Sequence, residues 1–231
     1  MTAAPPRARA DRRRILVVDD HELFSTSLAM ALCRHGFESE RAAFTSAKDV
    51  LEAAARTDPG LVVLDLHLGT DTRGHPIIGT DLVRALRATG WAVLVVSGSA
   101  DRPGIAAAIA AGAIGSVPKS ASFQTLLDAV LDAIAGRPVM SAVEHRQWLE
   151  LHRDHRVEQD DLAKRFKRLS PREREVLELL VAGERAAAIA RRFTVSMTTV
   201  RTQIRSILTK LGAQSQLEAV AIVNRHPLFF S

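Results

Sequence analysis

Four short runs of branched aliphatic residues, each followed by a stretch of helix length, constrain the first 140 residues more than any other feature of this chain. ILVVD (15–19) precedes SLAMALCRHG, LVVLD (61–65) precedes LVRALRATG, AVLVVSG (92–98) precedes IAAAIAAG, and IGSVPK (114–119) precedes LLDAVLDAI. Runs that are apolar at every position, rather than at alternate ones, suit strands covered on both faces, and the helix-length spacers supply the crossovers that parallel strands require. With a weaker strand near Glu38 to Ala43, the pattern predicts a doubly wound, five-stranded parallel sheet with five helices, ending near Gly136-Arg137-Pro138. Sheets of this kind work at the carboxyl ends of their strands. Asp19 and Asp20 close the first run, Asp65 the third strand and Ser97 the fourth, and Lys119 follows the fifth, so the topology gathers all five residues at one edge.

Three carboxylates at one sheet edge repel one another unless a cation lies among them, and a set of oxygen donors suits Mg²⁺. A carboxylate held there can attack phosphorus and become an acyl phosphate. Asp65 is the candidate nucleophile, with the Lys119 ammonium placed to pair with phosphoryl oxygens and the Ser97 hydroxyl to donate to one of them. An acidic residue at a strand end is more often an ordinary helix cap; the ordered set is what carries the reading. No GxxxxGK[ST] loop is present, which argues against ATP hydrolysis.

Composition divides the chain. With 231 residues, 47% hydrophobic and 25% charged, it suits two small globular domains, and no apolar run approaches the roughly 18 residues of a membrane span. No membrane association and a cytoplasmic location are expected. The first fourteen residues hold five Arg and one Asp, and residues 164–231 hold thirteen Lys or Arg against five Glu, so with +5 overall the body between them is acidic. A basic folded module favours a polyanion partner. Cys33, the only cysteine, lies in the apolar context AMALCRH and is expected to pack in the core. The polar stretch 141–166 has no Gly or Pro and predicts a solvated helix, on which His145, His152 and His155 read as surface residues rather than metal ligands.

The last third reads as a helix-turn-helix. Ser170-Pro171-Arg172-Glu173 is a capping box with proline at the first helical position; Val176, Leu177, Leu180 and Val181 form the buried stripe, and Gly183 ends the helix. A short helix from Ala186 to Arg192 is followed by a turn and a new cap at Ser196. In the helix after it, Val200, Ile204, Ile207, Leu208 and Leu211 face inward, which leaves Thr198, Thr199, Arg201, Thr202 and Arg205 outward before Gly212. A recognition helix needs this division, because its outer residues must reach base edges and phosphates in the major groove of double-stranded DNA. The competing explanation is a charged solvent face on a small helical bundle.

VVDDHELF, VVLDLHL, VVSG and GAIGSVPK resemble, in order, the motifs of the receiver domain of two-component response regulators. LSPREREVLELLVAGERAAAIARRFTVSMTTVRTQIRSILTKLGAQSQLEAV resembles the LuxR-type helix-turn-helix, and the combination is similar to the NarL/FixJ class. The resemblance implies a flavodoxin-like receiver over 14–137, a helical linker over 138–165 and an all-α DNA-binding domain over 166–231, preceded by a disordered basic arm at 1–13. It also implies that Asp19, Asp20, Asp65 and the His67 backbone carbonyl hold Mg²⁺. Further implications are that a sensor histidine kinase phosphorylates Asp65, that promoter DNA meets Arg201, Thr202 and Arg205, and that Gln216, Ala219, Val220 and Val223 pair two chains into a homodimer on DNA. Three departures stand out. LHLGTDTRGHPIIGTD after Asp65 is longer than usual and lacks an early proline, Ser116 stands where relatives carry a switching aromatic, and Pro118 precedes Lys119. The alternatives are a receiver regulator that binds DNA without phosphorylation, and an aspartyl-phosphate enzyme such as a phosphatase; the latter lacks a substrate-enclosing cap domain and leaves the basic tail unexplained.

Overall fold

The computed structural model describes residues 14–98, 101–226 and 229; the basic arm expected at 1–13 lies outside them. The chain divides into two compact units, Met1–Arg153 and Asp154–Ser231.

In the first unit the strands are β1 (Arg14–Val18), β2 (Glu38–Arg41), β3 (Leu61–Asp65), β4 (His67–Thr70), β5 (Pro76–Ile78), β6 (Ala92–Ser97) and β7 (Gly115–Pro118). The helices are α1 (Glu22–Arg34), α2 (Ala47–Ala55), α3 (Gly79–Ala88), α4 (Arg102–Ala110) and α5 (Phe123–Ile134). Five strands form one parallel sheet in the order β2-β1-β3-β6-β7. The uninterrupted apolar runs have their cause in two cores. Leu16, Val18, Val62, Leu64, Val93 and Val95 face one core with the buried residues of α2, α3 and α4. Ile15, Val17, Leu61, Val63, Leu94 and Val96 face the other with those of α1 and α5. Alternate residues of one strand thus serve opposite layers, and each fully buried Val, Leu or Ile contributes about 1.5–3 kcal/mol.

The long segment after Asp65 is not an open loop. β4 and β5 pair as an antiparallel hairpin whose Leu68 and Ile77 are buried against the first core. Asp71 closes its turn by accepting from Arg73 N and His75 N, both at 2.8 Å, and the His75 bond leads in holding its carboxyl below the ordinary carboxylate range. Gly79 ends the hairpin with Leu66 directly over it: a Cβ there would lie 2.7 Å from the Leu66 Cα.

Cys33 corrects the sequence expectation. It is exposed near the end of α1, with its thiol 3.6 Å from the Ser39 carbonyl. Leu28 and Leu32, four apart, are the buried stripe of α1, and position 33 falls a hundred degrees round the helix from Leu32.

Helix α6 (Ala142–Lys167) belongs to both units. In the first, Trp148 and Leu149 pack on the core and the Arg102 guanidinium lies 5.3 Å from the Trp148 ring centre. In the second, Phe166 is fully buried with α7 (Pro171–Val181), α8 (Ala186–Arg192), α9 (Met197–Leu211) and α10 (Gln216–Arg225). Ser170 and Glu173 form the capping box at the start of α7, Ser196 caps α9 through Thr199 N, and Gly212 ends α9 at φ +72°.

Candidate functional site

In the first unit, the carboxyl ends of β1, β3 and β6 and the residue after β7 bring Asp19, Asp65, Ser97 and Lys119 together. Asp19 and Asp65 are each 2% exposed and Ser97 is fully buried. The Lys119 Nζ lies 2.6 Å from Asp65 Oδ2 and 2.8 Å from Asp19 Oδ2. The other oxygen of each carboxylate is held by a backbone donor two residues on: His67 N donates to Asp65 Oδ1 at 3.1 Å, and His21 N donates to Asp19 Oδ1 at 2.7 Å. These Asx-type bonds aim the carboxylates where the strands end. Lys119 itself is placed by its N–H, which donates to the Ser97 carbonyl at 2.9 Å and continues the β6–β7 pairing past Pro118. Burial works to lower the Lys119 pKa, but the hydrogen bonds and charges of Asp19 and Asp65 outweigh it and raise the value, so the ammonium is the stable form.

The electrostatics are incomplete. Asp19, Asp20 and Asp65 bring three carboxylates, against which Lys119 is one ammonium. The Ser97 hydroxyl, at the same edge, has no hydrogen-bond partner among the described residues. Two net negative charges and an orphaned donor suit a divalent cation and an incoming anion, so the donor set fits Mg²⁺. Asp19, Asp20, His21 and Asp65 each offer one ligand atom, and the four lie within 4.8 Å of one another. A cavity of about 330 Å³ opens beside Asp19 and Asp20, bounded by Thr45 and Arg41 on one side and by Leu68, Gly69 and Thr70 of the hairpin on the other.

Sequence reasoning missed two residues here. His21, directly after the acidic pair, has Nδ1 2.8 Å from Asp20 Oδ1; its position was the available signal. His67 carries a second role through its side chain, whose Nε2 lies 3.4 Å from Asp101 Oδ2, the N-cap of α4. Nothing in the spacing of His67 and Asp101 foretells that meeting, which depends on the hairpin.

In the second unit, Thr198, Thr199, Arg201, Thr202 and Arg205 are all exposed on α9, while Val200, Ile204, Ile207 and Leu211 are buried. The helix is pinned from below by Glu173 of α7, which accepts from Ser206 Oγ at 2.6 Å and from Lys210 Nζ at 2.6 and 2.8 Å. Two of the four residues expected to pair two chains need correction. Ala219 and Val223 are buried in the domain's own core, so they cannot meet a partner. Being four apart they share the inward face of α10; Gln216 and the 79% exposed Leu217 are outward, with Val220 half-buried.

No helix among the described residues is long and apolar enough to cross a membrane. Comparison with known proteins finds the response regulator receiver domain over residues 15–131 and the luxR family of bacterial regulatory proteins over residues 167–223. Nitrate/nitrite response regulator protein NarL of Escherichia coli (strain K12) is 27% identical over 220 residues, covering 93% of this chain and 96% of its own. Transcriptional regulatory protein FixJ of Azorhizobium caulinodans is 34% identical over 206 residues, 88% of each chain. Among solved structures, that of the response regulator StyR matches at 29% identity and a TM-score of 0.45, covering 92% of this chain and 98% of its own. With both domain families matched in order and a FixJ regulator a third identical along most of its length, this chain belongs to the two-component response regulators, DNA-binding regulators of transcription with a receiver and a LuxR-type helix-turn-helix domain.

Proposed function

We propose that Asp65 is the phosphoacceptor, that a sensor histidine kinase is its donor, and that phosphorylation favours a homodimer binding a two-fold symmetric promoter site. The observation that carries this is the Asp65 carboxylate itself, buried at the strand end with Lys119 on one oxygen and a backbone N–H on the other. An Asp65 oxygen attacks phosphorus, an O–P bond forms as the P–N bond to the donor imidazole breaks, and the electron pair stays on the imidazole nitrogen. Lys119 moves from carboxylate to phosphoryl oxygens, and the Ser97 hydroxyl donates to one of them. Asp19, Asp20, Asp65 and the His67 carbonyl would hold Mg²⁺, which supplies charge neutralisation at the phosphoryl oxygens. On α9, Arg201 and Arg205 would pair with guanine edges or phosphates and Thr202 with a thymine methyl, while Thr198 and Thr199 lie at the helix start, where phosphates are met.

The test is intact mass after incubation with a small phosphodonor and Mg²⁺, for wild type and Asp65→Ala, with promoter-fragment binding read from the same samples. One phosphoryl adduct, absent in Asp65→Ala and accompanied by tighter DNA binding, is expected. No adduct with unchanged DNA binding would mean that the receiver answers to another input, and steady turnover of a phosphate ester would make the chain an enzyme.

A further inference from the structure

We infer that residues 139–149 are an autoinhibitory strap across the open edge of the receiver sheet, and that a second copy of this chain pairs at that edge only when the strap lifts; the inference rests on the phosphorylated homodimer proposed above. β7 is an outermost strand, hydrogen-bonded only to β6 within the sheet among the described residues. An open strand edge is a template for another chain unless something covers it. Here the chain covers its own. Gly136, in the left-handed region at φ +71°, turns the backbone after α5, and Arg137 is anchored to Asp132 by a 2.6 Å ion pair. The residues that follow straddle the sheet. Val139 packs with the layer of α1 and α5, whereas Met140, Trp148 and Leu149 pack with the layer of α2, α3 and α4. Successive residues reach opposite layers because the backbone rounds the edge of the sheet between them.

Gly115 of β7 marks the crossing. A Cβ on it would lie 2.8 Å from Val139 Cγ1 and 2.9 Å from Val139 Cβ, so the strap sits where a side chain of the strand would otherwise stand. Ser141 then starts α6, its hydroxyl accepting from Glu144 N at 3.1 Å, and farther along α6 the Arg102 guanidinium of α4 lies over the Trp148 ring. The grip is weak. No residue from 136 to 165 is buried, and Val139, Met140, Trp148 and Leu149 are all half-buried. Few buried apolar contacts put a segment at the low end of local stability. β7 joins this grip to the phosphoacceptor, because Gly115 lies four residues before Lys119, whose ammonium moves from Asp65 to phosphoryl oxygens in the reading above. A shift of that short strand acts directly on Val139, since close-packed groups transmit displacement rather than absorb it. Ser116 supplies no aromatic on β7, and the strap's Trp148 is a ring set against α4.

The test uses the full chain labelled with fluorotryptophan, whose fluorine resonances from Trp91 and Trp148 are assigned with Trp148→Phe, together with dimerisation constants from sedimentation equilibrium. A small phosphodonor and Mg²⁺ added to wild type should move the Trp148 resonance toward that of the free amino acid and leave that of the buried Trp91 in place. Without phosphodonor, Arg102→Gln should tighten dimerisation about two- to fivefold through loss of the cation–π contact, and Trp148→Ala about tenfold or more. A Trp91 resonance at its wild-type position shows that both variants keep the receiver folded. Dimerisation unchanged in both variants, or a Trp148 resonance that stays in place while an adduct forms, would overturn the inference. Weaker dimerisation in Trp148→Ala would overturn it too, by making α6 part of the interface. Tighter dimers in the variants with no adduct in wild type would uphold the strap and sink only the phosphoacceptor reading.

Discussion

Replacing Glu173 by glutamine removes one charge from the centre of the second unit, and the cost can be worked from the contacts. Glu173 is 7% exposed and accepts from Ser170 N at 2.6 Å, Ser206 Oγ at 2.6 Å and Lys210 Nζ at 2.6 and 2.8 Å. Burial pushes its carboxyl upward, but the Lys210, Ser206 and Ser170 bonds outweigh that and bring it from 4.5 to about 2. At about 1.4 kcal/mol per pH unit the difference is worth about 3 kcal/mol at neutral pH. Lys210 is 33% exposed and partly solvated, which trims the expected loss to about 2–3 kcal/mol. Because the folded value is depressed, the contribution is complete above pH 4.5 and fades as pH falls toward 2, so about half remains at pH 3. Urea unfolding of the full chain separates the units, since both tryptophans, Trp91 and Trp148, lie in the first. Glu173→Gln should shift the unfolding of the second unit in far-ultraviolet circular dichroism, and leave the tryptophan emission transition in place. A loss under about 1 kcal/mol at pH 7, or one unchanged between pH 7 and pH 3, would refute the assignment of that energy to a buried ion pair.

Gly79→Ala places a methyl group against the Leu66 backbone, which has no flexible side chain to yield. It should destabilise the first unit by about 1–3 kcal/mol in tryptophan-monitored unfolding. Arg185 stands at the N-cap of α8 with no side-chain bond to the helix, so Arg185→Ser should stabilise the second unit by about 1 kcal/mol in the circular dichroism transition. Arg201→Ala should weaken promoter binding by about 1–3 kcal/mol in a filter or anisotropy titration, with a smaller effect on non-specific DNA if the guanidinium reads a base. Equal losses on both DNAs would assign it to a phosphate.

Most of the candidate site was legible because its residues terminate strands. Asp19, Asp65, Ser97 and Lys119 each follow a short β-branched run, and parallel strands in a doubly wound sheet deliver their carboxyl ends to one edge whatever lies between them. The capping residues Ser170, Glu173 and Ser196 were legible for a similar reason: a cap acts within one helical turn, so the bond is encoded by neighbours in sequence. Cys33 shows the limit of local context, since an apolar neighbourhood does not say which side of α1 a residue occupies.

What the sequence determined by itself is therefore periodic and local: the strand and helix pattern, the helix caps, the ordering of the acidic residues, and the split between an acidic body and a basic tail. Tertiary structure alone decided the rest. The hairpin folding Leu68 and Ile77 onto the core, the meeting of His67 with Asp101 and the pinning of α9 by Glu173 all join residues far apart in the chain. Ala219 and Val223 likewise became core rather than interface only when α10 packed its inward face on α7 and α9. Such contacts depend on how whole elements are placed against each other, and no spacing within one element carries that information.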